Sequence, residues 1–500
     1  MLAPELKSDI NKLWNRFWSG GIANPLVAIE QMSYLIFMKR LEDLDNTHAR
    51  RAAARKETYQ SFFKGHEDCK WSQWKYLNAE AMLKHVQEVV FPFIKNLHNG
   101  DDVLYSQYMK DAQFVIPKAA LLQEAVAIID EMNITEQNQD TQGDIYEHLL
   151  AELKTSGKNG QFRTPRHIIR MMVKLIDPDI GQTICDPACG TAGFLIAAYE
   201  HILRKYTSED IVQKDEDGSI HNLVGDKIVE KSHWNLLKRD TFYGYDFDTT
   251  MVRIGLMNMI LHGIERPNIQ YADTLSKKFE QKAIYDIVFA NPPFAGSIDK
   301  GDINDAFKID TTKTELLFLE LFYNLLKVGG KAAVIVPNGV LFGTSNAHLK
   351  IRKLLLENCQ IEAVISMPGG VFQPYSGVGT AVIVFIKGGK SENVWFYEMT
   401  NDGFTLDQKR DFIDGKGDIP DVINKFRTHM VSEQSTVVDY KKIKENDYSF
   451  SISRFKKTKS GEFEHETPEV LIDDLEKLDV EITTELRKLK ELIKNEFSTQ

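Results

Sequence analysis

The strongest constraint on the fold is an alternation of short apolar segments with helical segments from about residue 180 to residue 386. Strands that alternate with helices form a mostly parallel sheet with helices on both faces, so the sequence predicts a doubly wound α/β fold. Ligands of such folds bind outside the carboxyl ends of the strands, and the residues that follow each strand are therefore the candidates for function. We place strands at 183–185, 242–246, 271–273, 284–290, 331–337, 361–365 and 380–386, and helices at 167–175, 194–203, 249–261 and 314–326.

Segments with helical periodicity flank the predicted sheet. In the N-terminal region, Leu6, Ile10, Leu13 and Phe17 recur at the spacing of one helix face. Between residues 471 and 493, an apolar stripe predicts a helix that packs on its own protein or docks a partner helix. We expect weaker order after about Lys390. Because 500 residues exceed one ordinary domain, we divide the chain into a helical N-terminal domain (1–150), an α/β domain (151–425) and a C-terminal region with a docking helix (426–500).

Composition narrows the class of protein. No run of about 18 apolar residues is present, so no membrane span is expected. The first residues lack the basic start and apolar core of a secretory signal, and the four cysteines are typical of reduced thiols in a cytoplasmic protein. Cys185 and Cys189 have no second Cys/His pair nearby, so no metal site is predicted.

The charge balance bears on nucleic acid as a partner. The formal net charge is −11, whereas a chain that gripped DNA alone over a wide surface would usually be basic. A DNA-binding role would therefore depend on a local patch or on a partner protein. The basic residues between Arg50 and Lys56 fit either a solvated helix face or contact with the DNA backbone.

Three of the predicted strand ends carry a carboxylate. Asp186 can accept hydrogen bonds from a cationic or amine group, Asp246 (or the neighbouring Asp248) suits a ribose diol, and Asp273 suits the amino group of adenine. Gly190 lies in the small-residue turn after the first of these strands and lets the backbone approach a ligand closely, as does Gly193. Neither a phosphate-binding loop nor a dinucleotide fingerprint is present. The pattern predicts a charged nucleoside ligand that has no phosphates.

A fourth strand end carries Asn291, Pro292, Pro293 and Phe294. The two prolines make the turn stiff and leave nearby carbonyls free to accept hydrogen bonds. Asn291 offers an amide donor and a carbonyl acceptor, and Phe294 offers a flat face. These residues are suited to hold a planar group with an exocyclic amine, although a plain proline-rich exit from a strand fits the four residues alone equally well.

A polar stretch with two glycines at 154–160 precedes Gln161, Phe162, Arg163, Thr164, Pro165 and Arg166. Thr164 and Pro165 fit the N-cap and first position of the helix predicted at 167–175. The N-terminus of that helix would face whatever the preceding loop covers.

Taken together, these motifs resemble those of the adenine-N6 DNA methyltransferases. The resemblance rests on Asp-Pro-Ala-Cys-Gly-Thr-Ala-Gly-Phe at 186–194 and on Asn-Pro-Pro-Phe at 291–294. The stretch at 161–166 and the helical ends resemble the modification (M) subunit of a type I restriction-modification system. This family has a Rossmann-like S-adenosylmethionine-dependent methyltransferase sheet, with a helical N-terminal domain and a helical C-terminal tail.

The resemblance implies roles for individual residues. Asn291 and the carbonyl of Pro292 would bond the N6 amine of a target adenine, with Pro293 completing the motif and Phe294 stacking on the flipped base. S-adenosylmethionine would lie over the strand ends. Asp273 is included among its contacts because this residue suits the amino group of adenine. The full set of expected contacts is Gln161, Phe162, Arg163, Thr164, Pro165, Arg166, Asp186, Pro187, Gly190, Thr191, Ala192, Gly193, Asp246 and Asp273.

The resemblance also implies partners and a biological role. Double-stranded DNA would be the substrate, a specificity (S) subunit shared by two M subunits would choose the site, and a restriction (R) subunit would complete the complex. Methylation would protect host DNA in the cytoplasm. Alternatives are a solitary adenine-N6 DNA methyltransferase and a non-catalytic assembly scaffold. A cytosine-C5 methyltransferase would need a Pro-Cys nucleophile, which is absent, and a protein-glutamine methyltransferase is disfavoured by the long helical regions.

Overall fold

The computed structural model describes residues 4–22, 24–56, 58–97, 107–132, 164–214, 220–264, 266–373 and 376–456, together with Ile482. The chain divides into two compact units, Met1–Arg454 and Phe455–Gln500. All the elements given below belong to the first unit. The predicted stretch at 154–160 and the predicted helix at 471–493, apart from Ile482, lie outside the described residues.

The centre of the first unit is a mixed β-sheet. Its strands among the described residues are β1 (Ile184–Asp186), β4 (Phe242–Asp246), β5 (Asn268–Tyr271), β6 (Tyr285–Ala290), β7 (Leu326–Pro337), β8 (Cys359–Met367), β9 (Thr380–Lys387), β10 (Asn393–Glu398) and β11 (Ser435–Asp439). They lie in the order β11-β10-β8-β9-β7-β6-β1-β4-β5. A separate hairpin pairs β2 (Gln213–Lys214) with β3 (Ile220–His221).

The half of the sheet that carries the predicted motifs is parallel. β1 pairs in parallel with β4 and β6, β4 with β5, and β6 with β7. Of these strands, β1 and β6 are short and almost wholly buried, as is typical where helices cover both faces of a parallel sheet. The central β1 is buried along its whole length. The predicted doubly wound arrangement is correct for this half.

The other half departs from the parallel pattern. β9 runs antiparallel to β7 and β8, and β11 runs antiparallel to β10. A parallel return needs a crossover of a dozen or more residues, usually a helix. The connection at 368–379 contains no helix among its described residues, so β9 returns antiparallel to β8.

Helices surround the sheet and form the N-terminal region. Pro25–Arg55 has its N-terminus capped by the Asn24 side chain and continues through the basic residues, with Arg50 exposed. Helix N-terminal caps and proline at the first position favour such a start. The described α-helices are Pro4–Ser19, Pro25–Arg55, Trp71–Trp74, Ala79–His85, Phe91–Lys95, Ala119–Glu131, Arg166–Ile176, Gly193–Lys205, Lys231–Asn235, Thr249–Leu261, Thr314–Leu325, Asn338–Phe342, Asn346–Asn358, Ile419–Phe426 and Tyr440–Glu445.

An ion pair joins the N-terminal helices to the helix that follows β4. Arg253 donates from Nε to Glu30 Oε1 at 2.7 Å, and the Tyr34 hydroxyl donates to the same oxygen at 2.8 Å. Both charged side chains are nearly buried. No helix in the described part of the chain combines the length and the apolar character needed to cross a membrane.

The described residues between Lys390 and Lys456 are more ordered than the sequence suggested. β10 lies inside the sheet, between β8 and β11, and Trp395 and Tyr397 on it are buried. The expectation of weak order was wrong because the burial of this strand depends on pairing with β8 and β11, which local sequence does not reveal.

Close packing around Gly244 on β4 gives a test of the fold. A Cβ atom on Gly244 would lie 2.9 Å from Cys189 Sγ and 3.2 Å from Ile269 Cγ1. We expect Gly244→Ala to lower the free energy of unfolding by about 1–3 kcal/mol through overpacking. Chemical denaturation measures this change. As a control, Gly339→Ala places its Cβ where no atom lies within 4 Å, and an equal loss of stability there would contradict the packing argument.

Candidate active site

The parallel strands bring the predicted functional residues to one edge of the sheet. β1 lies between β6 and β4. Asp186 is the last residue of β1, Asp246 is the last residue of β4, and Asn291 follows β6 directly. Parallel neighbours end on the same side, so residues distant in sequence share one site.

Asp186 is a buried carboxylate, 2% exposed. Its Oδ1 accepts a hydrogen bond from the backbone N–H of Ala188 at 3.0 Å. Burial raises the pKa of Asp186 to about 8; the Ala188 N–H opposes this rise, and the charge of Asp246 adds to it. A cationic ligand would stabilise the ionised form, because an opposite charge favours ionisation of a buried acid.

Asp246 contacts the loop that follows β1. The Gly190 N–H donates to Asp246 Oδ2 at 2.9 Å, and the Asp248 N–H donates to Oδ1 at 2.9 Å. Burial raises the pKa of Asp246, and these two N–H groups oppose the rise. Gly190 has a φ of 51° and Ala192 a φ of 66°, so the loop turns sharply before the helix Gly193–Lys205.

Asp248 caps a helix, whereas Asp246 contacts the loop after β1. Its Oδ1 accepts from the backbone N–H groups of Thr250 at 2.8 Å and Met251 at 3.3 Å. Asp248 is therefore the N-cap of the helix Thr249–Leu261. Of the two candidate carboxylates, Asp246 is the one that contacts the loop after β1.

Asp273 lies farther from its strand than predicted. β5 ends at Tyr271, not at Asp273, and Asp273 is exposed. Its Oδ1 accepts from the Leu275 N–H at 3.1 Å, so the residue forms a turn. The next residue, Thr274, donates from its buried hydroxyl to the carbonyl of Pro187 at 3.2 Å, which ties this turn to the loop after β1.

The side-chain amide of Asn291 has one bonded end and one unbonded end. Nδ2 donates to the Thr164 hydroxyl at 2.8 Å. Oδ1 is buried and has no hydrogen-bond partner among the described residues. Buried polar atoms are rarely left without a partner, and an exception calls for an explanation such as a ligand.

Phe294 is packed rather than open. Its ring is 7% exposed and meets Phe372 edge-to-face, with 5.2 Å between the ring centroids. Pro292 is buried and Pro293 is partly buried. Stacking of a base on Phe294 would need the contact with Phe372 to rearrange.

Only the second half of the 161–166 stretch can be placed, because Gln161, Phe162 and Arg163 lie outside the described residues. The helix begins at Arg166, one residue before the predicted start at 167, and its N-cap is Pro165 rather than Thr164. Thr164 is buried beside Asn291. The predicted N-cap role of Thr164 is wrong because its hydroxyl is bonded to the Asn291 amide.

Arg166 lines an opening together with two other predicted residues, Thr191 and Gly193. This opening has a volume of about 400 Å³, part of it exposed to solvent, and it lies among the helices Arg166–Ile176, Gly193–Lys205 and Thr249–Leu261. Asp186, Asp246 and Asn291 do not line it. The predicted residues therefore divide between the strand ends and this neighbouring opening.

Sequence reasoning missed a cluster that anchors the start of the helix Arg166–Ile176. His167 Nε2 lies 2.7 Å from Asp402 Oδ2, and Arg410 bonds the same oxygen. Phe404 stacks on the His167 ring at a centroid distance of 4.5 Å. Burial alone would raise the pKa of Asp402, but the hydrogen bond from His167 and the charge of Arg410 outweigh it, and the pKa lies below its usual value.

Known proteins match this chain in sequence and in fold. Residues 137–464 match the family model for N-6 DNA Methylase, and residues 6–129 match the HsdM N-terminal domain. The chain belongs to the N-6 DNA methylase family. The resemblance inferred from the motifs is thereby confirmed.

Among relatives of this N-6 DNA methylase, the type I restriction enzyme EcoEI methylase subunit of Escherichia coli is 32% identical over 391 residues, which are 76% of this chain and 74% of the relative. The EcoKI methylase subunit of Escherichia coli (strain K12) is 25% identical over 485 residues, which are 91% of this chain and 84% of the relative. The chain is therefore a methylase of the type I restriction enzyme class.

Solved structures confirm the fold class. A modification subunit of a putative type I restriction enzyme from Vibrio vulnificus YJ016 superposes with a TM-score of 0.70 at 22% identity, covering 88% of this methylase and 92% of that chain. A chain from a structure of type I R-M complex assembly gives a TM-score of 0.66 at 26% identity, with 98% of each chain covered. The sheet with its helical N-terminal region is thus the methyltransferase fold.

The raised pKa of Asp186 predicts a pH-dependent stability. Its folded pKa of about 8 exceeds the unfolded value of about 3.9. The folded chain therefore binds more protons between these values, and its stability falls as pH rises from about 4 to about 8. We expect Asp186→Asn to remove this pH dependence. The free energy of unfolding of the variant, relative to that of the wild type, should therefore rise with pH by at most about 1.4 kcal/mol per pH unit. Chemical denaturation at several pH values measures the slope, and equal slopes in both proteins would refute the assignment.

Proposed function

We propose that this methylase transfers a methyl group from S-adenosylmethionine to N6 of adenine in double-stranded DNA. The observation that carries the proposal is the buried Asn291 Oδ1, which has no partner among the described residues while Nδ2 is bonded. An acceptor held in this way suits an amine that donates a hydrogen bond. The exocyclic amine of adenine is such a group.

The strand-end residues fit S-adenosylmethionine. Asp186 is a buried carboxylate, and the charge of the partly buried Asp246 adds to the rise in its pKa; a cationic ligand would relieve this cost of ionisation. At Gly190 an added Cβ would meet no atom within 4 Å, so space for a ligand lies beside the loop. Asp246 would hold the ribose hydroxyls, and the loop after Asp186 would lie beside the methionine part. When bound, S-adenosylmethionine supplies an activated sulfonium methyl.

The methylase's own residues would act by alignment and electrostatics. The lone pair of adenine N6 is delocalised into the ring, which makes N6 a poor nucleophile. Hydrogen bonds from N6 to Asn291 Oδ1 and to the Pro292 carbonyl would favour a tetrahedral nitrogen and localise that lone pair. A group positioned in advance costs no reorganisation during reaction. The target base would be flipped out of the duplex to reach this edge of the sheet.

A partner would choose the DNA site. The net charge of −11 gives the chain little attraction for DNA by itself. We infer that a specificity subunit, shared by two copies of this methylase, supplies the grip and the sequence choice, and that a restriction subunit joins the full complex. Methylation would then protect the host DNA. The structure related at 26% identity concerns type I complex assembly, which supports this inference.

Replacement of Asn291 tests the catalytic role. We expect Asn291→Ala to lower methyl transfer by at least about 100-fold, because a preorganised hydrogen bond to the reacting group is lost. Cofactor binding should be unchanged. Tritiated-methyl transfer to DNA, followed by identification of the modified base, measures the first effect, and calorimetry measures the second.

The same transfer assay, run with and without the specificity partner, tests the partner inference. Weak transfer by the chain alone and restored transfer in the complex are expected. Robust site-specific methylation by the chain alone would favour a solitary enzyme. A wild-type complex that assembles but never methylates would favour a scaffold.

Asp246 and Asp248 can be separated by their effects. We expect Asp246→Ala to raise the cofactor Kd at least about tenfold, because charge-assisted hydrogen bonds to the ribose are lost. Asp248→Ala removes a helix cap and should mainly lower stability, by about 0.5–2 kcal/mol. Calorimetry and denaturation measure the two effects. A larger rise in Kd for Asp248→Ala would reverse the assignment.

A further inference from the structure

Thr164 forms a hydrogen bond with only one end of the Asn291 side-chain amide. The Thr164 hydroxyl accepts a hydrogen bond from Asn291 Nδ2 at 2.8 Å, whereas Asn291 Oδ1 has no partner among the described residues. Thr164 is 7% exposed, so water does not readily replace this hydroxyl. The contact joins Thr164, two residues before the helix Arg166–Ile176, to Asn291, the residue just after β6.

The orientation of this amide decides what a ligand meets. A half turn of the amide exchanges its oxygen and nitrogen with little change in shape. With Nδ2 toward Thr164, a ligand meets an acceptor; after the half turn, it meets a donor, which cannot pair with the two hydrogens of an amine. A hydroxyl can accept as well as donate, so Thr164 can satisfy Nδ2 while an amine satisfies Oδ1.

We propose that Thr164 is a positioning residue, which holds the Asn291 amide with its carbonyl toward the target base. This proposal rests on the proposed function and adds to it a role that differs from the cofactor contact implied by the family resemblance. The hydroxyl is already engaged by the residue assigned to the target adenine. Thr164 thus acts on the reaction through Asn291.

The segment that carries Thr164 is itself held in place. Pro165 restricts the backbone φ directly after Thr164. One residue into the helix, His167 bonds the buried Asp402 at 2.7 Å and stacks on Phe404. Asp402 also bonds Arg410, so residues 402–410 clamp the start of the helix. This clamp limits the movement of Thr164 relative to Asn291.

The experiment compares Thr164→Val, which keeps the shape and removes the hydroxyl, with Thr164→Ser, which keeps the hydroxyl. Each variant is assembled with the specificity partner, and kcat, KM for DNA and the Kd of S-adenosylhomocysteine are measured. We expect Thr164→Val to lower kcat about 10- to 100-fold, because the buried amide loses its orienting bond. The Kd should be unchanged, the thermal unfolding midpoint should fall only slightly because one amide donor loses its partner, and Thr164→Ser should restore both kcat and the midpoint.

The same substitution in an Asn291→Asp variant separates control of the amide orientation from a general structural role of Thr164. In Asn291→Asp the two carboxylate oxygens are equivalent acceptors, so a half turn changes nothing. We therefore expect Thr164→Val to leave the residual kcat of Asn291→Asp unchanged. An equal loss of kcat in both backgrounds would overturn the proposal in favour of a structural role.

Two further outcomes would also overturn the positioning role of Thr164. A weakened Kd for S-adenosylhomocysteine with wild-type kcat at saturating cofactor would assign Thr164 to the cofactor and overturn the proposal. Wild-type kcat with unchanged Kd would show that the contact is incidental. If the wild-type complex methylates adenine, either result refutes only the role of Thr164. If the wild-type complex does not methylate adenine, the proposed function fails and this inference fails with it.

Discussion

The site depends on the parallel pairing of β1 with β6 on one side and with β4 on the other. This pairing places Asp186, Asp246 and Asn291 at one edge, although they are far apart in sequence. Packing reinforces the arrangement: Gly244 admits the Cys189 side chain, and the Gly190 N–H bonds Asp246. A shift of one residue in the register of β4 would turn Asp246 to the opposite face of the sheet. The geometry of the site is therefore fixed mainly by the sheet and only secondarily by the loops.

Much of the strand arrangement around the site could be predicted from local sequence. The bounds of β4 agree with the prediction, and β6 differs by one residue, because apolar runs between turn signals are a strong local pattern. The positions of Asp186, Asp246 and Asn291 at strand ends followed from the same pattern. The end of β5 was misplaced by two residues, because Ala272 and Asp273 continue the strand pattern while the chain already turns.

The contacts that could not be predicted are long-range. Nothing near Thr164 indicates that its hydroxyl meets Asn291, and nothing near His167 indicates Asp402 as its partner. Each contact depends on how separate elements close on one another in three dimensions. Buried β10 was missed for the same reason, since its strand character depends on the neighbours β8 and β11. Propensity and periodicity describe one element at a time, so contacts between elements lie beyond them.

Two features of the site raise the free energy of the folded chain in the absence of ligands. Asp186 is a buried acid whose pKa is about 8, and Asn291 Oδ1 is a buried acceptor without a partner among the described residues. An unpartnered buried polar atom costs about 1–3 kcal/mol. A cation near Asp186 and an amine at Asn291 would each remove one of these costs. The two ligands that methyl transfer to an amine requires are therefore the ligands that the strand ends are suited to bind. Binding either of them would stabilise the fold by mass action.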